Sequence, residues 1–414
     1  MRICVVFILI ALLYGCNRAD NNYEKNHFKR SFFQWLGYSN KIVGLSPVND
    51  NVKLIKLPKN TNKQVISLDE LIDSLYYIKL GQPEQVCIEA IDKIVFAGDN
   101  IVVIDKRKKK GLYLFSSNGA FLGKIGDIGK GPNEYLSASD VAIDRHSGNI
   151  VVLDQYGKKL LYYDTNGSFL KERPIEFYAK DLSVLEDGSC AYYQLDGVNM
   201  NLKGKKGYCL LLANEKQKVS NCSFPYSYRD FCPKLTFGRL IDFINTNDAT
   251  LFNPYLTNDI YEIKSNDTIT LKYKLDFGRK DVLHKINKNT TDQDYLKLIN
   301  SNDYFYFSGD FLEAKQHLFF KYGNNSYCFY DTQTDSLVVG NHFSQRMLDK
   351  NRPRLEFSTP ISVKDEWFVS VIWPFMVSDE QKELINKTDN PTFEAFKNLS
   401  DLDNPILLFF KINI

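Results

Sequence analysis

The sequence IVVID at residues 101–105 is followed by a near copy, IVVLD, at residues 150–154. The similarity continues beyond these copies, because LYLFSSNGAFL at residues 112–122 aligns with LLYYDTNGSFL at residues 160–170. Each unit contains an apolar strand, a strand of mixed polarity and an Asn-Gly pair, whose tolerance of positive φ favours a tight hairpin. A repeat of about 48 residues therefore indicates a meander of about four antiparallel strands.

A four-stranded sheet that is apolar on both faces is buried only when it packs between two copies of itself, as in a β-propeller. We assign the apolar strands of the repeat as the inner strands. Fainter copies bring the number of units to six and predict an all-β, six-bladed propeller of four-stranded antiparallel blades. These copies are residues 182–193 with 208–212, 241–252 with 260–263, 305–330, and 367–373 with 406–412. Residues 68–80 would add a strand to the last blade and close the ring, which removes exposed sheet edges.

The last blade also contains a segment of helical periodicity. In residues 379–402, charged side chains alternate with Leu384, Phe393 and Phe396, and Asn390-Pro391 interrupts the pattern. We therefore predict a short helical insertion in the last blade. The expected domain organisation is a signal peptide at residues 1–15, a polar tether at residues 16–60 and the propeller at residues 61–414.

The N-terminus has the pattern of an export signal. Arg2 is followed by an apolar run at residues 3–13, which is too short to cross a bilayer as a helix. Leu13-Tyr14-Gly15-Cys16 resembles a bacterial lipobox, although Tyr14 replaces the small residue usual there. This resemblance implies lipidation at Cys16. Residues 17–20 lack an acidic cluster, which favours the periplasm-facing side of the outer membrane. The membrane contact would then be the lipid alone.

The segment GDIGKGPNEY at residues 126–135 resembles the G-x-x-G-x-G-P-x-E-Y segment of six-bladed β-propeller lipoproteins of Bacteroidota, which are NHL/TolB-like and mostly uncharacterised. Residues 91–94, 258–263, 272–278 and 403–408 are also similar to that family. The resemblance implies six blades and an envelope lipoprotein. It implies no particular chemistry.

The glycine-rich segment is the candidate binding or structural loop. Its residues are Gly129, Gly131, Pro132, Glu134 and Tyr135. A phosphate-binding loop is excluded, because Lys130 is followed by glycine rather than Ser or Thr. The glycines would allow a compact connection between blades, Glu134 would accept hydrogen bonds from backbone N-H groups and Tyr135 would pack. A ligand contact through Glu134 is the alternative.

Two aspartates, Asp105 and Asp154, end equivalent inner strands, so their carboxylates could lie near one rim of the central channel. They suggest either a site for a hard cation such as Ca²⁺ or hydrogen bonds to their own loops, of which we favour the second. Cysteines after residue 16 are expected to be buried thiols, with a Cys222–Cys232 bridge as the alternative. The five histidines have no zinc-site spacing. We therefore predict no catalytic residues, no metal site and no cofactor.

The charge of the chain is nearly balanced, with 52 basic and 50 acidic residues, which excludes a strongly basic nucleic-acid-binding protein. The predicted function is an envelope-anchored, non-catalytic binding or assembly module that holds a glycan, a peptide or an envelope protein. The alternative is a propeller lyase or hydrolase acting on a carbohydrate or peptide, with a site assembled from distant loops.

Overall fold

Six blades of four antiparallel strands each surround a central channel in the computed structural model of the chain. The six-bladed propeller predicted from the repeat is therefore confirmed. The structure describes residues 44–58, 65–83, 86–106, 111–194, 199, 201–202, 204–205, 207–226, 243–246, 249–254, 257–287, 289–301, 303–323, 326–340, 342–346, 354–356 and 358–414.

Three strands and one helical turn precede the first blade: β1 (Lys53–Lys56), β2 (Val65–Ser67), α1 (Leu68–Leu71) and β3 (Ile72–Lys79). Blade 1 consists of β4 (Lys93–Ala97), β5 (Asn100–Asp105), β6 (Gly111–Phe115) and β7 (Phe121–Lys124). The connection to the next blade contains β8 (Asp127–Ile128) and β9 (Glu134–Tyr135). Blade 2 consists of β10 (Ala138–Ile143), β11 (Ile150–Asp154), β12 (Lys159–Tyr163) and β13 (Phe169–Pro174).

Blade 3 consists of β14 (Asp181–Val184), β15 (Cys190–Tyr193), β16 (Tyr208–Ala213) and β17 (Val219–Pro225). Blade 4 consists of β18 (Phe243–Asn245), β19 (Thr250–Phe252), β20 (Asp259–Ser265) and β21 (Thr268–Asp276). The connection that follows contains 3-10 turns at Gly278–Lys280 and Val282–His284 and the helix α2 (Asp292–Asn300).

Blade 5 consists of β22 (Phe307–Ala314), β23 (His317–Tyr322), β24 (Ser326–Asp331) and β25 (Leu337–Gly340). The strands β26 (His342–Arg346) and β27 (Arg354–Glu356) follow it in the chain and form a small sheet with β2. Blade 6 consists of β28 (Ser362–Lys364), β29 (Trp367–Ile372), β30 (Ile406–Ile412) and β3. Between β29 and β30 lie 3-10 helices at Pro374–Met376 and Pro391–Phe396 and the helix α3 (Asp379–Lys387).

The first strand of each blade is the innermost one, since β4, β10, β14, β18, β22 and β28 contact one another in a closed ring. The assignment of residues 101–105 and 150–154 as inner strands was therefore wrong. These residues form β5 and β11, which are paired on both sides within their blades. A second strand is covered by the neighbouring blades on both faces, which explains its unbroken apolar run.

The ring is closed by β3, which pairs antiparallel with β30 from Ile72 opposite Ile412 to Lys79 opposite Ile406. This confirms the closing strand predicted for residues 68–80. The last blade thus combines strands from both ends of the chain. Unfolding of either end therefore removes a blade contact and exposes a sheet edge.

A segment on the outer edge covers blades 3 and 4. The N-H of Leu45 donates to the carbonyl of Cys222 (2.7 Å), Val48 bridges Thr270, and β1 pairs parallel with β21. Backbone pairing of this kind gives hydrogen-bond partners to the N-H and C=O groups that the outer strand of a sheet would otherwise expose. Residues 44–57, at the end of the predicted tether, thus lie against the propeller.

The helical insertion predicted for the last blade is confirmed by α3, whose first turn is capped by Ser378. The helix α2 was not predicted. Its capping box, formed by Thr291 and Asp294, and the one-turn spacing of the buried Tyr295 and Ile299 are the sequence signals that would have revealed it. Among the described residues, no helix combines the length and apolar character that a membrane span requires.

Candidate functional site

The two ends of the propeller differ in their connections. We call the end where the first and second strands of each blade are joined the hairpin face, and the end where one blade connects to the next the connection face. A cavity of about 660 Å³ occupies the channel and reaches the hairpin turns at Gly98, Gly148 and Asp365. Its lining comes from blades 1, 2, 4, 5 and 6. This central cavity has the size of a small-molecule or short-peptide site.

One cationic group of the central cavity is Lys364, at the end of β28. Its ammonium lies 3.4 Å from a carboxylate oxygen of Asp99 and 5.6 Å from the centre of the Phe96 ring. The Lys364 side chain is 22% exposed, whereas that of Asp99 is 89% exposed. The Lys364 side chain is thus partly buried in the cavity wall, whereas the carboxylate of Asp99 lies in solvent.

A second cationic group, Arg145, crosses from blade 2 to blade 4. Its guanidinium donates to the carbonyl of Ala249 and to Oδ1 of Asn245, the latter at 3.3 Å. The Ser183 hydroxyl of blade 3 donates to the same Asn245 oxygen at 2.7 Å. These bonds hold the guanidinium in one place beside the cavity.

A smaller cavity of about 50 Å³ adjoins the central cavity. Ile244, Leu312 and Ile361 line both cavities. The smaller cavity is also lined by Asp92 and Asp310. Three aliphatic side chains from blades 4, 5 and 6 therefore lie between the two cavities.

A buried network of charges joins blades 1, 2 and 3 near the connection face. The Lys93 ammonium lies 3.0 Å from both carboxylate oxygens of Asp140, which also accepts a hydrogen bond from the N-H of Leu182 (3.0 Å). Lys106 lies 3.4 Å from Asp140 and 3.5 Å from Asp181. Burial opposes the charge of Lys106, but the two carboxylates outweigh burial and raise its pKa above the usual value.

The predicted loop forms a self-contained turn on the connection face. Oε2 of Glu134 accepts a hydrogen bond from the N-H of Gly131 at 2.6 Å, and Pro132 lies within the turn between them. A Cβ atom on Gly129 would lie 1.9 Å from the same carboxylate oxygen, so this approach requires glycine. The Glu134 carboxylate therefore orders its own loop.

Tyr135, the last residue of this loop, is buried and its hydroxyl donates to the carbonyl of Ile125 at 3.2 Å. Burial raises the pKa of the Tyr135 hydroxyl to about 12. The loop residues do not belong to the lining of the central cavity, which opens on the opposite face. The sequence pattern thus indicated a segment that the structure places outside the lining of the central cavity.

The paired aspartates of the repeat, Asp105 and Asp154, are both fully buried. They end second strands, so the expectation that they follow inner strands at the channel rim was wrong. The Asp154 carboxylate accepts hydrogen bonds from the N-H groups of Leu136 (2.8 Å), Ser137 (3.2 Å) and Gly157 (2.9 Å). For Asp154, the bond from Gly157 confirms the favoured alternative of hydrogen bonds to its own loop, and Leu136 and Ser137 add two more from the connection before β10.

Two other sequence predictions concern metals and thiols. In the part of the chain that the structure describes, no group of three or more His, Cys, Asp or Glu side chains could hold a metal ion. Cys222 is a buried free thiol, and burial raises its pKa to about 11. Because Cys222 is free, the alternative bridge to Cys232 is not formed, and Cys87 is exposed, contrary to the expectation of buried thiols. Cys16 lies outside the described residues, so the lipidation site remains a sequence prediction.

The fold and the site define a six-bladed propeller with a ligand-sized cavity in its channel. Residues 52–411 match the family described as "Domain of unknown function (DUF4934)", and the chain belongs to this family. No curated protein matches the sequence.

Solved structures with similar folds include the "Putative exported protein" of Bacteroides fragilis, which is 20% identical with a TM-score of 0.67 over 88% of this chain and 100% of that one. This likeness shows a shared fold. A DUF4221 family member from Bacteroides vulgatus is 9% identical over 83% of this chain and 98% of that one, with a TM-score of 0.45. Virginiamycin B lyase of Staphylococcus aureus is 10% identical over 72% of this chain and 81% of that one, with a TM-score of 0.38.

Proposed function

We propose that the chain is a non-catalytic binding module of the cell envelope that holds its ligand in the central cavity. The observation that carries this proposal is the cavity itself, which five of the six blades line around about 660 Å³. A concavity of this size with a few fixed polar groups in its wall is the usual form of a ligand site. The ligand would enter from the hairpin face.

The charged groups around the cavity support binding rather than catalysis. Lys364 is paired with Asp99, and Arg145 is bonded to a backbone carbonyl. In an adjoining cavity, Lys272 lies 2.8 Å from a carboxylate oxygen of Glu313. Groups held in such pairs orient a ligand, whereas a general acid or base must exchange its proton with one.

We further propose that the protein is exported and anchored by a lipid at Cys16 to the periplasm-facing side of the outer membrane. The signal-like N-terminus supports export. The similarity to a protein called exported in Bacteroides fragilis and the lipoprotein-like segment at residues 126–135 agree with this location. The module would then face the periplasm.

The anchor is tested by growing cells with an alkyne-labelled fatty acid and measuring the label on the purified chain. We expect labelling of the natural sequence and complete loss of the label from Cys16→Ala, since the thiol is the proposed acceptor. Cys87→Ala, which removes an exposed thiol within the propeller, serves as the control and should keep the label. Equal labelling of the Cys16→Ala chain would refute the anchor.

Binding is tested with N-phenyl-1-naphthylamine, an uncharged apolar fluorophore, and a chain that begins at Asn17 and so keeps every described residue. We expect saturable binding that is lost when the cavity is filled by Ile361→Trp or, independently, by Ile143→Trp, because both side chains line it. Leu122→Trp is the matched control, since Leu122 is 51% exposed on the outer strand β7.

Melting temperatures of the three variants would show that each is folded before its titration is interpreted. Two variants are used because a tryptophan at either position could disturb the inner ring. If neither folded variant changed the affinity for the fluorophore, or if Leu122→Trp abolished binding equally, the central cavity would not be the binding site.

A further inference from the structure

We propose that the ligand of the central cavity is an extended, uncharged segment of a peptide chain, which pairs through its backbone with the channel edge of β28. The channel edge of an inner strand is the set of its N-H and C=O groups that point away from its own sheet. This inference rests on the proposed function, because it names the class of ligand and the mode of binding for the same cavity.

The inner strands line the cavity through their edges. The lining includes three runs of consecutive residues, 93–96, 243–246 and 361–365. Because successive side chains of a strand point to opposite faces, consecutive residues can line one cavity only through the backbone edge that they share. In the described part of the chain, β4, β18 and β28 are each paired on one side only. Their other edges therefore face the cavity.

The register of β28 shows which of its backbone groups point into the channel. Lys364 lies opposite Trp367 across a two-residue turn, so these two residues form a hydrogen-bonded pair. Asp365 in this turn has φ of 55°, as such a tight hairpin requires. The next pair, Val363 opposite Phe368, is then not hydrogen-bonded. The N-H and C=O groups of Val363 therefore point away from β29, into the cavity that Val363 lines.

The neighbouring strand β4 supports this assignment. Ala97 and Asn100 flank a two-residue turn, so the same alternation directs the carbonyl of Ile94 toward the channel. This carbonyl accepts a hydrogen bond from the Ser362 hydroxyl of blade 6 at 2.9 Å. In the described residues, no backbone hydrogen bond joins Val363 to another blade. A peptide backbone would thus give the edge of β28 the partner that water otherwise provides, which is the mode of binding called strand addition.

The charged groups of the lining favour an uncharged ligand segment. The lining contains three basic and two acidic side chains. Lys93 pairs with Asp140 at 3.0 Å. Lys364 pairs with Asp99 at 3.4 Å, and the guanidinium of Arg145 donates to three groups of blade 4. A ligand charge inside the channel would lose water without gaining a partner, which is costly. The interior of a peptide chain carries no charge and has both donors and acceptors.

A second cavity gives an extended ligand room to continue. This cavity, of about 420 Å³, lies on the hairpin face and shares Thr246 and Asp365 with the central cavity. Its lining contains four carboxylates and two lysines, so it differs in character from the channel. Only the segment inside the channel has to be uncharged. A peptide chain can continue from the central cavity into the second one, whereas a compact small molecule would occupy the central cavity alone.

The test is a calorimetric titration of the chain that begins at Asn17 with acetyl-Thr-Val-Thr-Val-Thr-amide, a peptide without charged groups. We expect binding, because strand addition uses backbone groups and tolerates many side chains. A second peptide carries N-methyl groups on two successive central residues, which removes a donor from each edge of the extended peptide. This peptide should bind at least about tenfold more weakly, the effect of losing one or two hydrogen bonds.

Val363→Pro tests the same pairing from the side of the protein. Proline lacks the N-H that points into the channel, and it is tolerated on the edge of a sheet. Relative to N-phenyl-1-naphthylamine, the unmethylated peptide should bind this variant at least about tenfold more weakly. Val363→Thr keeps the N-H and should restore the affinity. Melting temperatures show whether both variants are folded, and if Val363→Pro is not, the methylated peptide decides with the unaltered chain.

The outcomes separate this inference from the proposed function. Binding of neither the fluorophore nor the peptide would refute the proposed function itself. Binding of the fluorophore alone, equal affinity for the two peptides, or peptide binding that persists in folded Ile361→Trp would overturn the inference and leave a binding module. Maltoheptaose is the glycan probe, and its binding in place of the peptide would also overturn the inference.

Discussion

Asp140→Ala is expected to lower the free energy of unfolding by about 3–5 kcal/mol, the cost of leaving a buried charge without its partner. Asp140 is fully buried and accepts hydrogen bonds from Lys93 and from the N-H of Leu182. Its removal strands the Lys93 ammonium, which is itself only 5% exposed. Urea denaturation followed by circular dichroism measures the change.

Two further variants show whether this loss comes from the stranded charge. Glu172→Ala breaks the 2.7 Å pair with Lys159 at a carboxylate that is 48% exposed, so we expect a change below about 1 kcal/mol. In the double variant Lys93→Met, Asp140→Leu, the Lys93 ammonium is removed and Lys106 keeps its contact with Asp181, so part of the stability should return. A loss for Asp140→Ala no larger than that for Glu172→Ala would refute the role of the network in joining blades 1, 2 and 3.

Gly119→Ala is expected to destabilise the protein by about 3 kcal/mol or more, because it combines a disfavoured backbone conformation with a steric clash. Gly119 has φ of 86°, and a Cβ atom there would lie 2.2 Å from the carbonyl oxygen of Lys79 and 2.8 Å from Cγ2 of Ile78. Both residues belong to β3, the strand that closes the ring. The substitution would therefore force the turn of blade 1 away from blade 6.

The chain provides a matched control for this clash in Gly98, which has φ of 60° and no atom within 4 Å of the Cβ position. Gly98→Ala should lower the free energy of unfolding by only about 1–2 kcal/mol, which is the cost of a left-handed backbone conformation for alanine. The difference between the two variants, measured by urea denaturation, isolates the contact between blade 1 and β3. Equal decreases in the free energy of unfolding for Gly119→Ala and Gly98→Ala would show that this contact is not tightly packed.

The architecture could be predicted because its signals are local. The Asn-Gly turns and apolar runs of the repeat recur within single units, and residues 68–80 carry the apolar pattern of a strand with no partner nearby in sequence. The identity of the inner strand could not be read in the same way. A second strand is buried on both faces and so has the stronger apolar signal, whereas β10 carries Asp140 at the channel.

The central cavity could not be predicted because its residues meet only in the folded ring. Arg145 contacts Ala249, which is 104 residues away, and Lys364 contacts Asp99 across 265 residues. Neither residue lies in a motif, and a single basic side chain beside a turn is ordinary in sequence. The glycine-rich segment has a strong local pattern, but its carboxylate, Glu134, accepts a hydrogen bond from its own loop.

The central claim, that the channel cavity holds the ligand, is tested most directly by a crystal structure of the chain with bound N-phenyl-1-naphthylamine. We expect one probe in the central cavity, in contact with Ile143 and Ile361. Probe density only on the outer surface of the blades or on the connection face would contradict the claim.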